Sequence, residues 1–97
     1  MKLSYSKRAL GQIDAALGYV SLRSPAGAAK IEARMAAILA LAQIQPLIGV
    51  RTRVHAVRRV FLTPYPYLID YQIADDEIIV LRFRHASRDP APALRPM

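Results

Sequence analysis

The chain has 97 residues, no cysteine and a net charge of +7, which arises from 14 Lys and Arg against seven Asp and Glu. That length fits a single small domain, and the lack of thiols excludes both a disulfide framework and a thiolate metal site. With 54% hydrophobic residues the chain is too apolar to be disordered, yet it has no uncharged apolar run long enough for a membrane span.

The positive charge predicts a polyanion or an acidic protein as partner. Eleven of the cations are arginine, whose planar fork of donors suits phosphate and carboxylate. A GC-rich genome, which raises Arg, Ala and Pro together, explains the same bias equally well. Lys2, Lys7 and Arg8 place charges where a signal peptide needs an apolar stretch. We therefore expect an unexported, cytoplasmic protein.

The first half of the chain predicts one strand and two helices. Residues 2 to 5 alternate and favour a short strand, after which Ser6 is the expected cap of a helix over residues 7 to 22. An apolar stripe at helical spacing runs along it, formed by Leu10, Ile13, Leu17 and Val20. The pair Ser24-Pro25 ends this helix and begins a second one that runs to about Ala42. Because the connection is so short, we expect an antiparallel helical hairpin.

The second half predicts strands. Residues 46 to 53 are expected to be a loop, and the apolar period then changes from 3.6 to 2. Strands are expected at residues 54 to 62, at about 67 to 73 and at 78 to 86. The order β-α-α-β-β-β predicts an α+β domain over residues 1–89, with the helical hairpin packed on one face of a small, mostly antiparallel sheet. The Pro-rich residues 90–97 are expected to form a flexible tail.

The register of the last hairpin follows from one-sided burial. A two-residue loop, Asp75-Asp76, would mix apolar and charged residues on both faces of the sheet. A three-residue loop that adds Glu77 keeps them apart, and it pairs Tyr71 with Leu81, Ile69 with Phe83 and Asp70 with Arg82. We therefore expect the three-residue loop, with Asp70 and Arg82 as a cross-strand ion pair.

Few residues offer catalytic chemistry. No metal-ligand spacing, nucleophile motif or phosphate loop occurs, so neither a metal nor a cofactor is expected. RNA cleavage needs only a proton acceptor, a donor and cations, because the RNA supplies its own 2′-OH. The candidates for that chemistry are His85, Arg59, Arg82 and Arg88. The simpler alternative is a strand-end histidine bonded to backbone and a solvated arginine face.

Four segments occur in a recognisable order. The second helix opens with residues 25–29, Pro-Ala-Gly-Ala-Ala, and the run Arg-Arg-Val-Phe-Leu follows at residues 58–62. Residues 65–71 then read Tyr-Pro-Tyr-Leu-Ile-Asp-Tyr, and residues 79–88 read Ile-Val-Leu-Arg-Phe-Arg-His-Ala-Ser-Arg. Together with the element order, these segments resemble the ParE/RelE superfamily of type II toxins over roughly residues 2 to 89.

The resemblance implies one of two activities. RelE-like toxins are ribosome-dependent mRNA endonucleases that usually carry an Arg in the third strand, in a pattern like Tyr-Arg-Ile-Val-Tyr, whereas this chain has Leu68 there. ParE-like toxins share the fold but inhibit DNA gyrase without a known catalytic centre. The resemblance therefore implies a non-enzymatic gyrase inhibitor, neutralised by a ParD-like antitoxin. An mRNA endonuclease is the alternative, and a toxin fold without toxicity is a third reading.

The resemblance also suggests two contact surfaces. Contact with the target is assigned to Arg58, Arg59, Arg82, Arg84 and Arg88. An amphipathic, acidic antitoxin helix would lie in an apolar groove, and its expected contacts are Leu10, Leu17, Ile31, Met35, Arg58 and Arg82. We expect no membrane partner, and nucleic acid only through the target or the antitoxin.

Overall fold

The structure is a computed structural model that describes residues 1–88. Its helices are α1 (Lys7–Arg23) and α2 (Pro25–Ile44), and its strands are β1 (Lys2–Tyr5), β2 (Val50–Arg51), β3 (Val57–Phe61), β4 (Tyr67–Ala74) and β5 (Glu77–His85). Short 3₁₀ helices occupy Pro46–Ile48 and Ala86–Arg88. The predicted Pro-rich tail, residues 90–97, lies outside the described residues.

Both helix starts are capped as the sequence predicts. The Ser6 Oγ accepts a hydrogen bond from the Ala9 amide at 3.0 Å, and the Ser24 Oγ accepts one from the Gly27 amide at 2.9 Å. Each bond satisfies one of the amides that a helix leaves without an internal partner. The helix α2 continues to Ile44, two residues beyond its predicted end, because Pro46 restricts the backbone only from the residue before it.

The sheet has the order β1-β5-β4-β3-β2, in which β1 is parallel to β5 and every other pair is antiparallel. The helices pack on one face, which we call the helix face. Its core residues include Ile13, Ile31, Met35 and Leu39 from the helices and Val60, Ile69, Tyr71, Val80 and Phe83 from the strands. The predicted α+β fold is confirmed. No helix among residues 1–88 is long and apolar enough to span a membrane.

The region before β3 differs from the prediction in two ways. Residues 50 and 51, expected in a loop, form β2 opposite Arg59 and Arg58. The following strand begins at Val57 rather than at residue 54, because residues 52–56 turn around Thr52. Its Oγ1 donates to the Val57 carbonyl at 2.9 Å and accepts from the Val54 amide at 3.2 Å. Side-chain bonds of this kind favour turns over strands.

The predicted hairpin loop is wrong, although two of the three predicted pairs are confirmed. The loop has two residues, since Ala74 pairs with Glu77 and Tyr71 pairs with Val80 rather than with Leu81. The register then shifts between Asp70 and Tyr71, after which Asp70 lies opposite Arg82 and Ile69 opposite Phe83. A β-bulge that leaves Leu81 as the extra residue keeps the faces separate. Glu77, the predicted third loop residue, is therefore the first residue of β5.

Candidate functional site

A buried ion pair lies on the face of the sheet opposite the helices. The Arg59 Nε donates to the Asp70 Oδ1 at 2.6 Å, and the Arg59 Nη2 donates to the Oδ2 at 2.9 Å. Both residues are almost fully buried, with 4% and 5% of their surface exposed. Because β3 places Arg59 directly opposite Asp70, this candidate cation is held in a two-pronged bond, the strong form of an arginine–carboxylate pair.

The predicted ion pair between Asp70 and Arg82 does not form. The two residues do lie opposite each other in the ladder, but the carboxylate bonds Arg59 from the other neighbouring strand. Within residues 1–88, the Arg82 side chain donates no hydrogen bond, and the residue is partly buried. The pairing of β4 with β5 does not by itself predict which arginine Asp70 bonds, because β4 is a central strand with an arginine opposite Asp70 on each side.

Arg58 lies on the helix face, apart from the other candidate arginines of the sheet. Its Nη1 donates to the Gly49 carbonyl at 2.8 Å and to the Leu47 carbonyl at 3.2 Å. The buried Tyr71 hydroxyl donates to the Pro46 carbonyl at 2.5 Å and accepts from the Gly49 amide at 3.1 Å. Burial raises the pKa of Tyr71, against the lowering effects of the Gly49 bond and of Arg58. Together these bonds fix the segment between α2 and β2.

Arg84 and Arg88 complete the predicted arginine set. Arg84 lies opposite Leu68 in the ladder between β4 and β5, and Leu68 is 1% exposed. Arg88 ends the last 3₁₀ helix, and its side chain lies outside what the structure describes. The position where the ribonucleases carry a third-strand Arg is therefore a buried leucine in this protein.

His85 lies at the end of β5, beside α1. Its ring meets the Tyr67 ring edge-on at 5.5 Å between centroids, and Tyr67 stacks on Phe83 at 5.2 Å. The Ser87 Oγ lies 2.7 Å from the His85 Nδ1. These rings line an open groove of about 490 Å³ against Gln12 and Tyr19 of α1.

This placement separates the candidate base from Arg59 and Arg82. His85 has the parity of Phe83 and lies at the helix face, whereas Arg59 and Arg82 share the row of Asp70 on the opposite face. Among residues 1–88, no group of three or more His, Asp or Glu could hold a metal ion. The described residues thus form an arginine–carboxylate pair on one face of the sheet and a separate aromatic groove, which both His85 and Arg84 line.

The predicted antitoxin contacts fall into two groups. Ile31 and Met35 are core residues with 6% and 8% of their surface exposed, so little of either side chain is available to a partner. On α1, Leu17 is partly buried against the core and Leu10 is 47% exposed. The helical stripe marked both kinds of residue because spacing identifies a face and does not show how completely that face is covered.

Several exposed large apolar residues are absent from the predicted contacts, and three of them lie close together in sequence at the end of α2 and just after it. Leu41 and Ile44 at the end of α2 and Leu47 in the 3₁₀ helix are 44%, 78% and 66% exposed. The sequence carried a signal for them, since no charged residue occurs between Arg34 and Arg51. A helical segment that is uncharged and apolar on nearly all sides, as the second half of α2 is, either is buried on every side or exposes an apolar surface.

The matches of this chain to known proteins include a family model, a named relative and a solved structure. A family model described as the ParE toxin of the type II toxin-antitoxin system parDE matches residues 3–90. The protein named "Putative toxin Y4kP" of Sinorhizobium fredii is 33% identical over 86 residues, which are 87% of this chain and 88% of that protein. The fold matches a chain of the "Chromosomal ParDE TA system from P. aeruginosa" with a TM-score of 0.73 and 22% identity, over 88% of this chain and 95% of that one.

Proposed function

Because the chain belongs to the ParE toxin family of type II toxin–antitoxin systems, we propose that it inhibits DNA gyrase in the cytoplasm and is neutralised by a ParD-like antitoxin. The family resemblance drawn from the sequence is confirmed. The target and the identity of the antitoxin are the proposed parts.

The separation of His85 from Arg59 and Arg82 carries the choice of target. A ribonuclease needs a proton acceptor within hydrogen-bond reach of the 2′-OH and a cation beside the same phosphate. His85 lies at the helix face, and Arg59, on the other face, is bonded to Asp70 through two nitrogen atoms. Leu68 supplies no charge at all. These observations support a toxin that acts by binding its target rather than by cleaving RNA.

Two assays on the purified toxin test the target. We expect inhibition of gyrase supercoiling and no cleavage of mRNA on the ribosome, because loss of one preorganised stabiliser lowers a rate by about 10²- to 10³-fold. His85→Ala should inhibit gyrase as well as wild type does, and His55→Ala, the same change in the exposed loop before β3, is the matched control. Specific mRNA cleavage that His85→Ala abolishes would overturn the proposal in favour of an endonuclease.

Neutralisation is tested separately. A ParD-like antitoxin produced together with the toxin should restore growth and should co-purify with it as a stable complex. The reasoning is that the +7 chain exposes several large apolar side chains, and such surfaces mark interaction sites. A toxin that is monodisperse and harmless on its own would contradict this part of the proposal and leave the gyrase assay unaffected.

A further inference from the structure

An apolar surface ends the second helix. Leu41 and Ile44 stand three residues apart, the spacing that places side chains on one side of a helix, and Leu47 follows one turn later in the 3₁₀ helix. All three are among the large hydrophobic side chains that remain exposed, and Ile44 keeps 78% of its surface in solvent. We call Leu41, Ile44 and Leu47 the α2-end surface.

Arg58 lies beside this surface, and Arg51 is its neighbour in the sheet. Arg51 of β2 lies directly opposite Arg58 of β3, and the Arg58 guanidinium donates to the Leu47 carbonyl, which places it beside the last residue of this surface. Like charges at directly opposite positions destabilise a sheet. Within residues 1–88, no carboxylate is paired with either arginine. An acidic group from a partner would therefore relieve the repulsion between the two arginines.

The segment that joins these two features is rigidly held. The Tyr71 hydroxyl ties Pro46 and Gly49 together, and Tyr71 itself is fully buried. Gly49 is closely packed, since a Cβ there would lie 2.8 Å from the Tyr71 hydroxyl and 2.9 Å from the Arg58 Cβ. A surface fixed before binding loses less entropy when a partner docks.

We infer that the α2-end surface with Arg51 and Arg58 is the docking site for the neutralising segment of the antitoxin. That segment would be an amphipathic helix whose apolar side chains cover Leu41, Ile44 and Leu47 while its carboxylates meet the two arginines. The inference rests on the proposed function in one respect, namely that an antitoxin is the physiological partner.

Charge favours this occupant over a second copy of the chain. A two-fold contact brings the same patch of both subunits together, so it would bring two Arg51–Arg58 pairs close to each other. Each chain carries +7, and like charges at an interface oppose association. An acidic amphipathic segment neutralises the same arginines and buries the same apolar side chains.

Peptide binding tests the inference directly, because a designed peptide can stand in for the antitoxin segment. The probe is a fluorescently labelled, helical 16-residue peptide with leucines at alternating three- and four-residue spacing and glutamates beside them. Its control carries lysines in place of the glutamates. By anisotropy, we expect the acidic peptide to bind the purified toxin and the lysine peptide not to bind. Ile44→Glu and Arg51→Glu should each weaken binding at least tenfold.

A matched variant and a second readout make the result specific. Leu22→Glu changes an equally apolar side chain on α1 that is 87% exposed, and it should bind the acidic peptide as wild type does. Because Ile44 and Leu22 are both exposed, circular dichroism should show all variants folded. Equal binding by wild type and Ile44→Glu, no binding of the acidic peptide, or equal binding of the lysine peptide would overturn the inference.

Two further measurements separate this inference from its alternatives. Gyrase inhibition by the free variants reports the target independently, so its absence in wild type would reject the proposed target and leave the peptide result readable. Sedimentation reports self-association. A wild-type dimer that Ile44→Glu converts to a monomer would show that a second copy covers the α2-end surface, and would overturn the antitoxin assignment.

Discussion

Asp70→Asn is the sharpest test of what holds the sheet together. The carboxylate accepts two hydrogen bonds from Arg59, at 2.6 and 2.9 Å, and both residues are at most 5% exposed. The amide of asparagine has nearly the same shape, but it turns one acceptor into a donor and removes the charge. One Arg59 nitrogen then faces another donor, and the buried guanidinium loses the counter-charge that Asp70 supplies.

The expected cost is large for a domain of this size. Removing one partner of a buried ion pair costs about 3 to 5 kcal/mol, because the remaining charge stays buried without that partner. A domain of this length has a free energy of unfolding of about 5 to 15 kcal/mol in total. With a urea m-value of about 2 kcal/mol per molar, the unfolding midpoint should fall by about 1.5 to 2.5 M.

Urea unfolding followed by circular dichroism measures this shift. Asp75→Asn, the same chemical change in the exposed turn of the hairpin, should change the free energy of unfolding by less than about 0.5 kcal/mol. The double variant Arg59→Met, Asp70→Leu should be more stable than Asp70→Asn, because it removes both charges together. If Asp70→Asn stays within about 1 kcal/mol of wild type, Arg59 does not depend on this carboxylate and the reasoning fails.

Three further outcomes concern Gly49, Tyr71 and Ser24. Gly49→Ala should destabilise the fold by about 1 to 3 kcal/mol, because the added Cβ would overpack against Tyr71 and Arg58. Gly11→Ala, whose added Cβ would have no atom within 4 Å, should instead stabilise the fold by about 0.5 to 1 kcal/mol. Urea unfolding measures both changes. Because burial raises the pKa of Tyr71, its contribution is complete below the unfolded value of about 10 and is lost as pH rises through the folded pKa. The free energy of unfolding should therefore be lower at pH 11 than at pH 9, and less so in Tyr71→Phe. Ser24→Ala should lower the thermal midpoint by removing a cap of about 1 kcal/mol.

The helices were predictable because their boundaries are encoded locally. Ser6 and the pair Ser24-Pro25 mark helix starts in the sequence itself, and both caps form. The strand β2 was not predictable in the same way, because two residues carry no period. Its residues, Val50 and Arg51, become a strand only through their pairing with β3, which no short window of the sequence contains.

The hairpin between β4 and β5 shows which strand pairs an alternating apolar pattern can predict and which it cannot. Alternation correctly placed Ile69 opposite Phe83, because it constrains which residues share a face. It could not show where the chain accommodates an extra residue, since an added loop residue and a bulge shift the later pairs equally. The structure has the bulge, at Leu81, and the tight turn uses Asp75 at a positive φ of 51°, a conformation that Asp tolerates better than most residues.

The site was only partly predictable for a related reason, which is that function here depends on faces rather than on residue types. From the sequence, His85, Arg59 and Arg82 are candidates for one RNA-cleaving centre. The strand pairing places them on different faces. Phe83 lies in the core, and His85, two residues further along the same strand, therefore lies on the helix face as well. Asp70, from the same central strand, holds Arg59 on the other face. A residue list can propose a catalytic centre, but the register of three strands decides whether its members can meet at one phosphate.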